Sequence, residues 1–392
     1  MTVHVLRLRP GKEKPVLAGH PWIFSGALAE LDATLPAGAL VDVCAADGRF
    51  LGRGYVNPRC AITVRVLTRE AVAIDAAFVR SRVDAALQLR RALVAPGTDA
   101  FRLLNGEGDF LPGVIADVYG SFVTVQCLTA GARALRPLLV DALAGALHPT
   151  GIYERSAGAV RHEEGLPAEE GVLAGAPPPD LVTVREGGVR FAVDLRRGQK
   201  TGFFLDQREN RRLVGRLAAG RSVLNAFAYS GGFAVHAGAA GARHVVSVDS
   251  SARALALARH NWELNALPAA QIAHVSADVF RYLRETADCF DLIVLDPPAL
   301  VKRRADVARG ARAYKDLHLW AVRRAAPGSL VLTFSCSQHV SADLFARIVQ
   351  GAAADAGRAA QILQALGPGP DHPVNLAHPE GHYLKGLLLY IK

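Results

Sequence analysis

The stretch SVLNAFAYSGGFAVHAGAAGARHVVSVD, residues 222–249, decides the fold. SVLNAF is a near-continuous apolar run of strand length, and AYSGG supplies a glycine-rich turn. FAVHAGAAGA has helical spacing, and HVVSVD is a second apolar run that ends in an acid. A strand, a tight loop, a helix and a second strand make a parallel crossover unit, because parallel strands need a connection of about a dozen residues. The pattern then repeats outward. ARALALARHNWELN reads as a helix, QIAHVSAD as a strand, VFRYLRETA as a helix, FDLIVLD as a strand, and SLVLTFSCS as a further strand. Apolar strands alternating with helices predict a mostly parallel sheet covered on both faces, an α/β Rossmann-like domain. Ligands of such sheets bind at the carboxyl ends of the strands, so the residues closing each strand are the candidates for chemistry.

The first strand runs into a loop that begins at Asn225 and continues through Ala226, Phe227, Ala228, Tyr229, Ser230, Gly231 and Gly232 to Phe233, where two adjacent glycines let a ligand approach the backbone. The loop is not G-x-G-x-x-G, which disfavours a nicotinamide-dependent oxidoreductase. The second strand ends in Asp249, at the separation from the first loop where an acid meets a ribose in this architecture. The third ends in Asp278, suited to hold an adenine amine. Helix capping would account for either acid taken alone. Together, after a glycine-rich loop, they point to a nucleoside cofactor. The fourth strand ends in Asp296-Pro297-Pro298, whose prolines carry the loop rigidly out of the sheet. The fifth ends in Cys336, between two serines.

Outside this region, residues 1–70 show short strands with Gly and Pro punctuation (VHVLRL, ALVDVCAADGRFLGRGYV, AITVRVL) and read as a small β-barrel domain. Residues 71–185 read as a small α+β domain, with a helix from Asp75 to about Arg91, strands GVIADVYGSFVTVQCL and a second helix from Arg133 to Leu147. Residues 186–392 form the Rossmann-like domain, entered by the hairpin LVTVREGGVRFAVDL. The chain has 392 residues, 45 of them basic and 36 acidic, for a net charge of +9 that suits a polyanion. Five scattered cysteines without a C-x-x-C pair argue against a disulfide framework or a zinc site and for a reducing cytosol. No leader-like segment or long apolar run is visible, so a soluble protein without a membrane or metal partner is expected.

The motifs VLNAFAYSGGF, VDSSARALALARHNWELN, SADVF, LDPPAL and FSCS, preceded by TGFFLDQR, together resemble class I S-adenosylmethionine-dependent methyltransferases. They are most similar to the RlmI-like family of 23S rRNA cytosine-5 methyltransferases. GHPWIFSGAL and the strands around it resemble that family's N-terminal PUA domain. The resemblance implies S-adenosyl-L-methionine as cofactor, with Asp249 on the ribose, Asp278 on the adenine and Val279 beside it. Phe227, Tyr229, Ser230 and Gly231 would meet the methionine moiety, and Asp296 would also border the cofactor. Asn225 stands where many methyltransferases carry an acid. It further implies large-subunit ribosomal RNA as partner and a homodimer.

For such a reaction Cys336 and Asp296 are the candidate catalytic pair. Carbon 5 of cytosine is a poor nucleophile until a thiolate adds at carbon 6, and an acid near ring nitrogen 3 stabilises that adduct. Guanine N-methylation needs no thiol and is the alternative enzyme reading. A non-catalytic RNA-binding or assembly factor is the other class. Candidate RNA contacts are Trp22, as a stacking ring or a core residue, Arg155 and Arg161 in the middle segment, Lys200 before TGFFLDQR, and Lys302, Arg303 and Arg304 after the D-P-P loop. Asp306 and Asp316 interleave with the last group, so a solvated helix face is the competing reading.

Overall fold

A computed structural model describes residues 3–392. They form two compact units, the first built from the described residues up to Val184, Val193–Leu205 and Pro370–Gly381, the second from Arg185–Ala192, Asp206–Gly369 and His382–Lys392. Residues 193–205 and 370–381, which the sequence reading assigns to the 186–392 domain, thus belong to the first unit.

In the first unit, β1 (His4–Arg7), β2 (Trp22–Phe24), β3 (Leu40–Cys44), β4 (Phe50–Val56) and β5 (Ile62–Thr68) make a sheet of order β1-β3-β4-β5-β2, with the short helix α1 (Lys14–Leu17) between its first two strands. Leu6, Leu8, Val41, Val43, Val56 and Val64 alternate into its core. Ala46, Asp47 and Gly48 lie in the turn between the antiparallel β3 and β4. Asp47 Oδ1 accepts from the Arg49 N–H at 3.0 Å, and Gly48 sits at φ 88°, a left-handed value that favours glycine.

A second sheet follows, with α2 (Ala76–Leu93), β6 (Ala100–Asn105), β7 (Val114–Tyr119), β8 (Phe122–Cys127), α3 (Ala130–Leu147), β9 (Gly151–Ser156), α4 (Ala159–Glu163) and β10 (Glu169–Gly175). Its order is β10-β9-β8-β7-β6. Asp75 caps α2 by accepting from Phe78 N, and Thr129 caps α3 by accepting from Ala132 N. The sequence reading has both helices and the β7–β8 hairpin and lacks β6, β9 and β10. The segment Pro370–Gly381 completes this unit. Asp371 Oδ2 accepts from Arg102 N at 2.9 Å, its carbonyl accepts from Arg90 at 3.0 Å, and the Pro373 carbonyl accepts from Asn105 Nδ2 at 2.9 Å.

The hairpin of β11 (Val182–Glu186) and β12 (Val189–Val193) is divided between the units. The second unit continues through α5 (Arg208–Ala218), β13 (Ser222–Ala226), α6 (Gly232–Ala239), β14 (His244–Asp249), α7 (Ala252–Leu264), β15 (Ile272–Ser276), α8 (Val279–Glu285) and β16 (Phe290–Leu295). It ends with α9 (Val307–Arg324), β17 (Ala325–Ser335), α10 (Ala342–Asp355), β18 (Ala360–Leu366) and β19 (Lys385–Ile391). The seven-stranded sheet has the order β15-β14-β13-β16-β17-β19-β18. Its first five strands are parallel, and β19 is antiparallel to both of its neighbours. The Rossmann-like fold expected from residues 222–249 is therefore present, with an antiparallel edge that the sequence reading leaves unassigned.

Both faces of this sheet are covered. Leu224, Val246, Ile293 and Val331 pack under Tyr314, Leu317 and Phe345, while Val223, Val245, Leu292 and Leu332 pack with Phe233 and Trp262. Alternate strand residues thus bury in opposite directions, which is why these strands read as unbroken apolar runs. Beneath this face lies a buried charge cluster. Glu186 accepts from Arg211 at 2.8 and 2.5 Å and lies 2.8 Å from His236 Nε2. Burial alone would raise its carboxyl, but the Arg211 charge and these hydrogen bonds hold it at about 2. No helix among the described residues is long and apolar enough to cross a membrane.

Candidate functional site

Strand register sets the site. Ala226 pairs with Val248 on one side and Leu295 on the other, Asp249 pairs with Ser276, and Leu295 pairs with Thr333. The ends of β13 to β17 therefore lie along one edge of the sheet, and the loops after them carry Phe227–Gly231, Asp249, Asp278, Asp296 and Cys336 together. The strand order reverses between β13 and β16, the crevice where open α/β sheets bind ligands.

The first loop is strained. Phe227 and Tyr229 have φ of 60° and 45°, left-handed values that cost a non-glycine residue roughly 1–2 kcal/mol each. Two bonds from the second strand hold it there, since Ala228 N donates to the Val248 carbonyl at 3.0 Å and Tyr229 N donates to Asp249 Oδ2 at 2.9 Å. Such strain, over-determined by neighbours, clusters at ligand sites. Gly231 follows at φ 81°, and a Cβ there would stand 3.0 Å from that of Ala258, so two separate constraints require glycine. Beside the loop, the rings of Phe227 and Phe280 meet edge to face at 6.3 Å, an apolar wall between the ends of β13 and β15.

The polar groups fit a nucleoside cofactor with an amino-acid tail. Asp249 accepts from Ser251 N as well as Tyr229 N and stays partly exposed, while Ser251 itself caps α7. Asp249 is therefore not spent as the helix cap. Asp278 does cap α8, accepting from Arg281 N at 2.9 Å through one oxygen, and is exposed. Val279 is 3% exposed and its side chain lies in the core, so only its main chain can face a ligand. Asn225 lies inside β13 rather than in the loop, paired with Ser247 and Val294. Its Oδ1 and the Ser230 Oγ are buried with no hydrogen-bond partner among the described residues. Buried orphan atoms cost about 1–3 kcal/mol each, and a polar ligand group would satisfy them.

Asp296 and Cys336 are both partly exposed. From the register Cys336 stands one strand sideways and two residues further along than Asp296, roughly 8 Å between backbones. A hydroxyl network that the sequence reading does not contain ties their loops together. Tyr314, fully buried on α9, bonds Ser335 Oγ and Ser337 Oγ, both at 2.9 Å. Ser337 Oγ also accepts from Val301 N at 3.1 Å, and Val301 lies in the loop that Asp296 opens. Behind it, His318 donates from Nδ1 to the Tyr314 carbonyl, and its Nε2 accepts from Thr333 Oγ1 at 2.7 Å. Burial pushes this imidazole down to about 4, so it is neutral. The only trace of this in the sequence is the buried stripe Tyr314, Leu317, His318, Ala321 at helical spacing.

The expected RNA contacts divide. Arg161 is 1% exposed; its guanidinium bonds the carbonyls of Pro167 and Cys127 and pairs with Glu169 at 2.7 Å, so it is a structural residue and not an RNA contact. Arg155 donates to the carbonyls of Leu195 and Gly198, which commits it internally as well. Trp22 is half-buried, donates from Nε1 to Glu107 at 2.8 Å and meets the His378 ring at 4.4 Å, so its polar edge and one side of its ring are engaged within the first unit. Lys200, in the first unit, is exposed with its ammonium 4.5 Å from the Phe204 ring. In the second unit Lys302, Arg303 and Arg304 are exposed and make no ion pair with any described residue. Arg309 and Lys315, further along α9, are paired with Asp306 and Asp355.

Comparison with known proteins agrees with this geometry. Residues 165–350 match the family model for S-adenosylmethionine-dependent methyltransferases, and residues 6–69 match that for PUA-like domains. Ribosomal RNA large subunit methyltransferase I of Cronobacter sakazakii is 42% identical over 391 residues, covering 98% of this chain and 99% of the relative. The protein of that name from Shewanella amazonensis is 43% identical over 388 residues, covering 98% of each. Among solved structures, a candidate S-adenosylmethionine-dependent methyltransferase from Streptococcus mutans superposes with a TM-score of 0.84 at 24% identity, covering 99% of this chain and 100% of that one, a likeness of fold. At the identity of the first two relatives, over nearly the whole of both chains, this protein belongs to the ribosomal RNA large subunit methyltransferase I family and is an S-adenosylmethionine-dependent methyltransferase.

Proposed function

We propose that this enzyme methylates carbon 5 of a cytosine in large-subunit (23S) ribosomal RNA, in the cytoplasm, through a covalent adduct with Cys336. The observation that carries the reading is a partly exposed thiol at the end of β17, beside the acid of the D-P-P loop and buttressed by hydroxyls on both sides. A direct attack by a base nitrogen would require no thiol there. The relatives' names supply the RNA class. The unpaired Lys302, Arg303 and Arg304 supply cations beyond the same loop for its phosphates.

S-adenosylmethionine, held by the β13–β15 loops, supplies an electrophilic methyl group on a positively charged sulfur that leaves as a neutral thioether. The Cys336 thiolate donates a lone pair to carbon 6, and the π pair between carbons 5 and 6 shifts toward ring nitrogen 3. Asp296, in its protonated form, gives that nitrogen a proton and so stabilises the adduct. Carbon 5, now enamine-like, takes the methyl group. Loss of the carbon 5 proton to solvent re-forms the double bond and expels the thiolate, and the proton on ring nitrogen 3 returns to Asp296, which restores the enzyme and leaves neutral 5-methylcytosine.

The test is Cys336→Ala with 5-fluorocytosine-substituted RNA and mass spectrometry of the product nucleosides. Wild type forms a stable covalent complex, because fluorine replaces the proton whose loss releases the enzyme. Cys336→Ala forms none and yields no 5-methylcytidine, while still binding S-adenosylhomocysteine. Methylated nucleoside from Cys336→Ala sinks the covalent route, and methylated guanosine in its place establishes the guanine reading.

A further inference from the structure

A cysteine nucleophile works as its thiolate, and an unassisted thiol near pKa 8.5 is only a few per cent ionised at pH 7. Within its own loop Cys336 has one ionisable neighbour, His339, on an exposed turn. The antiparallel strand β19 supplies another. Lys385 begins that strand, directly opposite Ser335. It is half-buried, and its Nζ donates to the carbonyls of Ser337 and Val340, both at 2.7 Å. These carbonyls belong to the turn that leaves Cys336. An ammonium has three donors, so one remains. Among the described residues Lys385 pairs with no acid, although a half-buried cation without an anion is costly. Burial pushes its ammonium below the usual lysine range, and the Cys336 sulfur, when charged, pushes it back up. Tyr314 faces the same cysteine from α9 and is held neutral by burial; Asp296 lies at the neighbouring strand end, and the neutral His318 lies behind.

We propose that Lys385 is the positioning residue for Cys336: it tethers the 337–340 turn and supplies the cation that keeps the thiol ionised. The inference rests on Cys336 acting as nucleophile. Its signature is the thiol's own titration, which is measurable without turnover.

The experiment follows iodoacetamide alkylation of the Cys336 peptide against pH by mass spectrometry. It compares full-length wild type, Lys385→Arg, which keeps the charge, and Lys385→Gln, which keeps an amide donor for the carbonyls and loses the charge. Wild type and Lys385→Arg should ionise below pH 8.5. Lys385→Gln should shift upward by about one unit, cutting the thiolate fraction at pH 7 about tenfold. Its methyl transfer should fall about tenfold at pH 7 and recover as pH rises. A Lys385→Gln profile that superposes on wild type, or a methylation defect that is uniform with pH, overturns the electrostatic role. If the variants do not fold, the wild-type profile decides, since a half-point at or above pH 8.5 is equally fatal. An active Cys336→Ala enzyme removes the nucleophile reading instead, and the alkylation result then still reports on Lys385.

Discussion

Tyr314→Phe removes one oxygen from the place where the two candidate catalytic loops meet. That hydroxyl bonds Ser335 Oγ and Ser337 Oγ, both at 2.9 Å, on a ring with no exposure to solvent. Each neutral hydrogen bond contributes about 0.5–1.5 kcal/mol net, so the loss is roughly 2 kcal/mol. The serines keep some compensation, because Ser335 Oγ still accepts from Ser337 N and Ser337 Oγ from Val301 N. For a unit of this size each kcal/mol lowers the melting temperature by about 2–4 °C, which predicts a drop of roughly 4–8 °C. The kinetic effect is the sharper part. Without this hydroxyl, Ser337 Oγ keeps the bond from Val301 N that links the turn after Cys336 to the loop after Asp296 but loses the partner that orients it, and a misplacement of order 1 Å can cost up to about a hundredfold in rate. We expect kcat to fall at least about tenfold with cofactor affinity unchanged, because the cofactor groups lie on β13 to β15. Calorimetric unfolding, titration with S-adenosylhomocysteine and single-turnover methylation separate the three quantities. Wild-type kcat together with the expected thermal loss would refute the claim that this network aligns the two loops.

Asp249→Ala removes two backbone acceptor bonds as well as the expected ribose contacts. We expect S-adenosylhomocysteine to bind about 10- to 100-fold more weakly by calorimetry, from charge-assisted bonds worth about 1.5–3 kcal/mol, with a small loss of thermal stability as Tyr229 relaxes; unchanged affinity would leave Asp249 only the task of holding the loop. His318 should give the fold a pH dependence, since its folded value of about 4 lies below an unfolded value near 6.5. The unfolded chain therefore takes up this proton first, and stability falls as pH drops from 6.5 toward 4, by up to about 3 kcal/mol. Denaturant melts of His318→Gln across that window should show a flatter dependence than wild type, and an equal slope would exclude His318 as its source.

The alternation of strand and helix from residue 222 onward was legible because each element reports on its own burial through spacing alone. The sheet-end acids were legible for a related reason, since parallel strands put the last residue of each run on one edge whatever packs around them. Tyr314 and Lys385 were not, because what matters about each is a partner on another element, and in Lys385 that partner is roughly fifty positions away. Arg161 and Trp22 mislead in the opposite direction. A basic or aromatic side chain in sequence carries no sign of whether its polar atoms will face solvent or, as here, the carbonyls of Cys127 and Pro167 and the carboxylate of Glu107.

The segment Pro370–Gly381 has a consequence for how the protein is made. The first unit is begun by residues up to 184, yet it is finished by residues 370–381, which are made after most of the second unit. Arg102, Asn105 and Arg90 wait for acceptors at Asp371 and Pro373 that are separated from them by the entire parallel sheet in the order of synthesis. A Cβ at Gly108 would stand 2.0 Å from the Pro373 carbonyl, so the seat for this latecomer is shaped closely in advance. The first unit thus lacks these acceptors until residues 371–373 have been made, and only then can it close.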